Sequence, residues 1–277
     1  FRAVFVRGES RIDWRASYEI TMAGLAATRL FASAGAGGVA LTAWALRRSG
    51  MEPRVVATRM IAFMALLYAV FMGCLVIGGL GLYFGVLPGQ NPFAITVVPA
   101  IFGGGVIVIF LAVSMLPRDI DRLVARWSRG GRLGRLAGTA AAAPAAAAGG
   151  VRTAIALVRA NGWTLLGAVA WWGFDIAVLW SCFQAFGGAP TPTVVVMSYF
   201  IGMLGNVLPL PGGIGGVDGA MIGAFSAFGV SPPLAVVSVL AYRAFAFWLP
   251  TVPGAIAYFQ LRRTVQRWRG DRSPSYT

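Results

Sequence analysis

From Met60 to Pro117 the chain carries no charged side chain, a run far longer than the roughly 20 apolar residues that cross a bilayer. A second starved stretch, Ala160 to Leu261, holds only Asp175, Asp218 and Arg243 as charges. With 12% charged residues against 58% hydrophobic ones, the chain has about half the charge of a soluble domain. Lipid is therefore its main solvent. Backbone polar groups in lipid need partners within the protein, and the apolar runs lack the period-two alternation of barrel strands. The reading is an all-α polytopic membrane protein.

A net charge of +14 would suggest nucleic acid in a soluble protein. Here position overrides the total. Every basic residue is arginine, and all but Arg29 and Arg243 fall between apolar runs, in Arg2 to Arg15, Arg47 to Arg59, Arg118 to Arg159 and Arg262 to Arg272. That is the positive-inside pattern, which puts the basic central loop and the C-terminus in the cytoplasm. No basic cluster is interleaved with stacking aromatics, so no nucleic-acid partner is expected. Histidine is absent and the acids are scattered, so no metal and no cofactor is expected. Cys74 and Cys182, inside apolar runs, read as packing residues. The use of arginine without lysine, beside abundant Ala and Gly, suggests a high-GC bacterium, and the expected location is the bacterial inner membrane.

Four crossings are clear, at about 55–82, 94–116, 163–186 and 234–259. Residues 117–159 read as a basic cytoplasmic helix followed by a flexible Ala/Gly/Pro linker from Ala137 to Gly150, and 262–277 as a basic cytoplasmic tail. Parity then constrains the remaining apolar segments. Arg15 and Arg47 belong inside, so the segment of about 20–46 returns to its own face; the uncharged connections at Gly187 to Pro192 and Gly229 to Pro233 belong outside, so 193–228 returns as well. Each segment breaks in the middle, the first at Gly35, Gly37 and Gly38, the second at Pro209, Pro211, Gly212, Gly213, Gly215 and Gly216. Pieces of about 11 to 16 residues reach about 16 to 24 Å, short of a core of about 30 Å. Two re-entrant helical hairpins are expected, one in a first membrane half (1–116) and one in a second (160–261). Their entry from opposite faces makes the halves an inverted repeat, which places a substrate site at the midplane. The symmetry also predicts at least one helix before Phe1.

Irregular backbone at membrane depth needs burial in protein or access to water, so the Pro209 to Gly216 break is expected to face a cavity. A helix starting near Gly215 would aim free N–H groups into it, favouring an anion. Asp218 is placed either to cap that helix or to join a substrate site. Arg29, Asp175 and Arg243, the other charges at depth, each cost at least about 2.5 kcal/mol unless paired or hydrated; Asp175 with Arg243 is the expected pair. Trp171, Trp172, Trp180 and Trp248 read as packing or interfacial anchors.

The run Asn206-Val207-Leu208-Pro209-Leu210-Pro211-Gly212-Gly213-Ile214-Gly215-Gly216-Val217-Asp218, with Tyr242-Arg243 and Trp248-Leu249-Pro250 after it, resembles the lysylphosphatidylglycerol synthase transmembrane region. This is a flippase-like membrane domain. Ala34 to Gly38 and Leu46 to Gly50 resemble the earlier glycine motif of that family, without its Pro and acidic residue. Nothing in these residues resembles the soluble aminoacyl-transferase domain of the family. The resemblance thus implies movement of lipids with modified headgroups, not lipid aminoacylation.

The combined expectation is a flippase-like transporter, not an enzyme, with no catalytic residues. It would move an anionic or headgroup-modified lipid, phospholipid or polyprenyl-linked, between leaflets. Arg29, Arg243, Asp218, Asp175 and Asn206 form the expected substrate site, and membrane lipids with phosphate-bearing headgroups are the expected partners. The alternatives are an integral membrane enzyme acting on a lipid phosphate and a scaffold for a separate lipid-synthesis enzyme. Against the enzyme stands the lack of any acid/base or metal-holding set.

Overall fold

The computed structural model describes residues 1–6, 12–30, 36–115, 131–160, 162–188, 190–207, 210 and 213–270. The regular structure is all helical, with no strand among the described residues. The helices are α1 (Arg2–Phe5), α2 (Trp14–Leu30), α3 (Ala36–Arg48), α4 (Pro53–Tyr83), α5 (Phe93–Ser114), α6 (Gly131–Ala160), α7 (Trp163–Ala185), α8 (Pro192–Leu204), α9 (Gly216–Ala227), α10 (Pro232–Arg243) and α11 (Leu249–Gly270). Proline at the first turn of α4, α8 and α10 starts each helix without losing a hydrogen bond.

Four spans are long and apolar enough to cross a membrane: α4, α5, α7 and the interrupted rod Pro232–Trp268. Their outer surfaces carry Ile77, Ile101, Phe174 and Val252 at 65% exposure or more, a distribution that suits a hydrocarbon solvent and not water.

Contacts between helices run through small residues, as expected where lipid supplies no hydrophobic drive and close packing must hold the bundle. A Cβ on Gly79 would collide with the Thr96 carbonyl, and one on Gly103 would lie 2.9 Å from the Met72 carbonyl, so α4 and α5 run antiparallel at glycine distance. Gly254 of α11 meets Met22 and Ala26 of α2 in the same way.

Each of the segments 20–46 and 193–228 holds two helices packed against each other. In the first, Gly38 of α3 abuts Gly24 and Thr28 of α2, and Thr42 meets Gly24. In the second, Gly202 of α8 abuts Met221 of α9, and Gly205 abuts Gly216. Each is an antiparallel helical hairpin. With 13, 13 and 12 residues, α3, α8 and α9 span about 18 to 20 Å, too short to cross alone. The tip of the first, with Gly35, and Pro209, Pro211 and Gly212 of the second lie outside the described residues.

Two buried clusters organise the packing. One joins α1, α2, α3, the first half of α4, α6 and α11; the other joins the second half of α4 with α7 to α10. The 31-residue α4 belongs to both, contributing Leu66 to the first and Leu75 to the second.

Two expectations need correction. Residues 137–150 are no flexible linker; they lie within helix α6. Alanine has the highest helix propensity, and a stripe of Ala148, Val151, Ala154 and Leu157 buries against its neighbours. Residues 262–270 are likewise no free tail but the last turns of α11, where Val265 and Trp268 are buried and Thr264 donates to the fully buried Glu19 of α2 at 2.7 Å. Arg262, Arg263 and Arg267 are exposed while Val265 and Trp268 pack inward, so charge density alone did not mark where packing stops.

Candidate functional site

Arg29 lies one residue from the end of α2, beside the break of the first hairpin. Its Nη1 donates to the carbonyl of Phe247 at 2.8 Å, and its guanidinium carbon sits 5.4 Å from the centroid of the Phe247 ring. The guanidinium carbon of Arg243 is 4.7 Å from the same centroid. Two cations thus converge on one buried aromatic ring, whose π face partly offsets their mutual repulsion.

Phe247 is presented by a π-helical turn, Ala244–Trp248, between α10 and α11. Pro250, two residues after Trp248, has no N–H for the carbonyl four residues back, which relaxes the regular ladder at this place. The Phe247 carbonyl accepts from Thr251 Oγ1 at 2.7 Å as well as from Arg29.

Asp218 is the third residue of α9. Its Oδ2 accepts the N–H of Gly215 at 3.1 Å, returning to the residue that precedes the helix. Gly215 (φ +83°) and Gly213 (φ +68°) adopt left-handed conformations that side chains other than glycine resist, and these let the chain turn sharply into α9. The other oxygen, Oδ1, stands 2.7 Å from Arg243 Nε. That contact is an ion pair by distance without an aligned hydrogen bond to Oδ1. Asp218 is therefore both helix cap and counter-ion.

Asp175, on α7, is held differently from expectation. Its Oδ2 accepts from Tyr199 of α8 at 2.5 Å and from Tyr242 of α10 at 2.8 Å. The expected Asp175–Arg243 pair gives way to Arg243–Asp218, because the hairpin folds the start of α9 onto α10 and brings the capping carboxylate closer. Asp175 is stabilised by two phenol dipoles, and both phenols are almost wholly buried. Arg29 lies within electrostatic range of Asp175, Arg243, Tyr199 and Tyr242.

Four of the five sequence-selected residues thus gather in one cluster. Asn206 does not join it: the residue is exposed on the turn after α8, its Nδ2 is 3.5 Å from Met203 Sδ, and its Oδ1 packs against Gly213. It supports the tip of the hairpin. Gly38 and Gly216 serve close helix approach. Sequence reasoning gave no site role to Tyr199, Tyr242 or Phe247. Tyr242, adjoining Arg243, could have been suspected; Tyr199 and Phe247 carry no local signal. Trp172 is a packing residue, donating to the Leu67 carbonyl at 3.0 Å, whereas Trp171, Trp180 and Trp248 face outward.

Fold and site together define a multi-pass helical membrane protein in which four charged residues on α2, α7, α9 and α10 lie close together. The chain belongs to the lysylphosphatidylglycerol synthase TM region family, whose model matches residues 1–254. Among curated relatives, a UPF0104 membrane protein of Methanocaldococcus jannaschii is 35% identical over 98 residues, covering 35% of this chain and 29% of the relative. A UPF0104 membrane protein of Methanothermobacter thermautotrophicus is 35% identical over 91 residues, covering 32% and 27%. The matches thus span less than a third of those relatives' length. No solved structure matches the chain.

Proposed function

We propose that this protein is a flippase-like transporter that moves an anionic or headgroup-modified lipid between the leaflets of a bacterial inner membrane. The observation that carries the reading is the cluster of Arg29, Arg243, Asp218 and Asp175, contributed by both hairpin segments and by α7 and α10. Intramembrane charges are expensive, and their convergence marks a substrate path. In this reading the two hairpins are re-entrant from opposite faces, the halves are an inverted repeat, and the cluster lies near the midplane. The basic segments face the cytoplasm.

Arg243 is already countered by Asp218, so the first attraction for a lipid phosphate falls to Arg29, which spends one N–H on the Phe247 carbonyl. Arrival of the phosphate would draw Arg243 from Asp218, and a cationic part of the headgroup would meet the released carboxylate. The four charges sum to zero, which suits a headgroup with both signs. The reading assigns no bond-breaking chemistry.

The test is transport by purified protein in liposomes carrying a labelled anionic lipid. Loss of label from the inner leaflet should accelerate, and Arg29→Ala and Arg243→Ala should slow it while elution stays native. Chemically altered lipid in place of relocated lipid would establish the membrane-enzyme reading. Tight binding of a lipid synthase with no lipid movement would establish the scaffold reading.

A further inference from the structure

A cavity of about 380 Å³ lies between α4, α5 and α6, with Leu165 of α7 also in its lining. It shares no residue with the charged cluster. That volume falls within the range of about 300 to 1,000 Å³ typical of small-molecule sites. Its walls are aliphatic and aromatic, with Met72, Ile107 and Val158 among them. It opens outward, since the lining residues Tyr68 and Leu111 are 46% and 47% exposed. One charged residue lines it, Arg159, exposed in the last turn of α6.

The position of Arg159 sets the polarity of this trough. The crossing helix α7 begins at Trp163, which is 77% exposed, and an outward Trp at the end of a crossing marks the headgroup level. Arg159 stands four positions earlier in the chain, at the end of α6 that precedes this crossing, while Met72 and Ile107 lie within crossings of their own. A cation at the mouth of an apolar trough is complementary to a molecule with an anionic head and a hydrocarbon tail.

We infer that this groove is a binding site for one anionic phospholipid, distinct from the transport site, with one acyl chain in the trough and the phosphate on Arg159. The chain lies against α4, α5 and α6, and the lipid tethers α6 to the bundle. The inference does not depend on transport; a failed liposome assay leaves it standing.

Delipidated protein in detergent is titrated with phosphatidylglycerol or phosphatidylcholine of equal chain length, and bound lipids are counted by native mass spectrometry. The Arg29→Gln background weakens the transport site, and the Arg159 variants are compared within it so that what remains of that site is common to all. There the protein should retain phosphatidylglycerol about fivefold over phosphatidylcholine, as one guanidinium near a lipid phosphate provides. Arg159→Gln should abolish the preference and Arg159→Lys restore it. Val158→Trp, which fills the trough, should lower retention of both lipids; if it fails to fold, Ile155→Trp narrows the same space. A wild-type lipid count in Arg159→Gln or in the folded trough-filling variant overturns the inference.

Discussion

Arg29 at the end of α2 donates through Nη1 to the carbonyl of Phe247 at 2.8 Å, joining residues 218 positions apart in the chain. The bond ties the hairpin of the first half to the π-helical turn of the second. Any movement that exposes the charged cluster to one side must break or carry this contact. Replacing Arg29 by Lys keeps the charge but loses the planar fork that reaches both carbonyl and ring. Transport by Arg29→Lys should therefore fall to near that of Arg29→Ala in the liposome assay; activity close to wild type would mean that charge alone suffices.

The Arg243–Asp218 pair should be strongly coupled. Each side chain is largely buried, at 13% and 16% exposure, and removal of one partner strands the other charge. A double-mutant cycle with Arg243→Met and Asp218→Asn, read by thermal unfolding in detergent, should give a coupling of roughly 1 to 3 kcal/mol. The same cycle on Asp175 and Arg243 should give less. Equal couplings would contradict the pairing described above.

The hydroxyls of Tyr199 and Tyr242 solvate Asp175. Hydrogen bonds to a charged group are each worth roughly 1.5 to 3 kcal/mol. Tyr199→Phe and Tyr242→Phe should each lower the unfolding temperature, and the double variant should lower it further. Adding Asp175→Asn to the double variant should recover part of the loss, since no ionised carboxylate is then left unsolvated. A further drop on adding Asp175→Asn would show that the carboxylate has another stabilising partner.

Close helix approach should make some glycines intolerant and leave others free. A Cβ on Gly38 would stand 2.5 Å from the Gly24 carbonyl, while one on Gly223 of α9 meets nothing within 4 Å. Gly38→Ala should cost about 1 to 3 kcal/mol through forced separation of α2 and α3. Gly223→Ala should be neutral or stabilising by up to about 1 kcal/mol. Unfolding curves of the two variants side by side test the hairpin packing directly.

The re-entrant reading predicts sidedness. In a background with Cys74 and Cys182 replaced, Ala36→Cys and Ile214→Cys, both at exposed positions beside the hairpin tips, should react with small polar thiol reagents from opposite faces of the membrane. Labelling of both from the same face would remove the inverted arrangement.

The class of fold was legible from the chain alone because lipid makes a simple demand: about 20 uncharged residues per crossing, helical throughout. Hence the crossings around 55–82, 94–116 and 163–186 coincide with α4, α5 and α7, whereas Gly37 and Gly38 of the first expected break lie inside α3, and Gly216 of the second opens α9. The cost of burying charge also singled out Arg29, Asp175, Asp218 and Arg243 as residues in need of partners. Which partner each takes was not legible. Ion pairing depends on the turn of α9 that carries Asp218 onto Arg243, and Asp175 is satisfied by phenols whose sequence positions look like ordinary core. The same holds for α6 and the end of α11, whose arginines read as solvated segments while their opposite stripes are buried. Solvent preference is a property of each segment and is written locally; partner choice is a property of distances between segments, and only the packed bundle sets those.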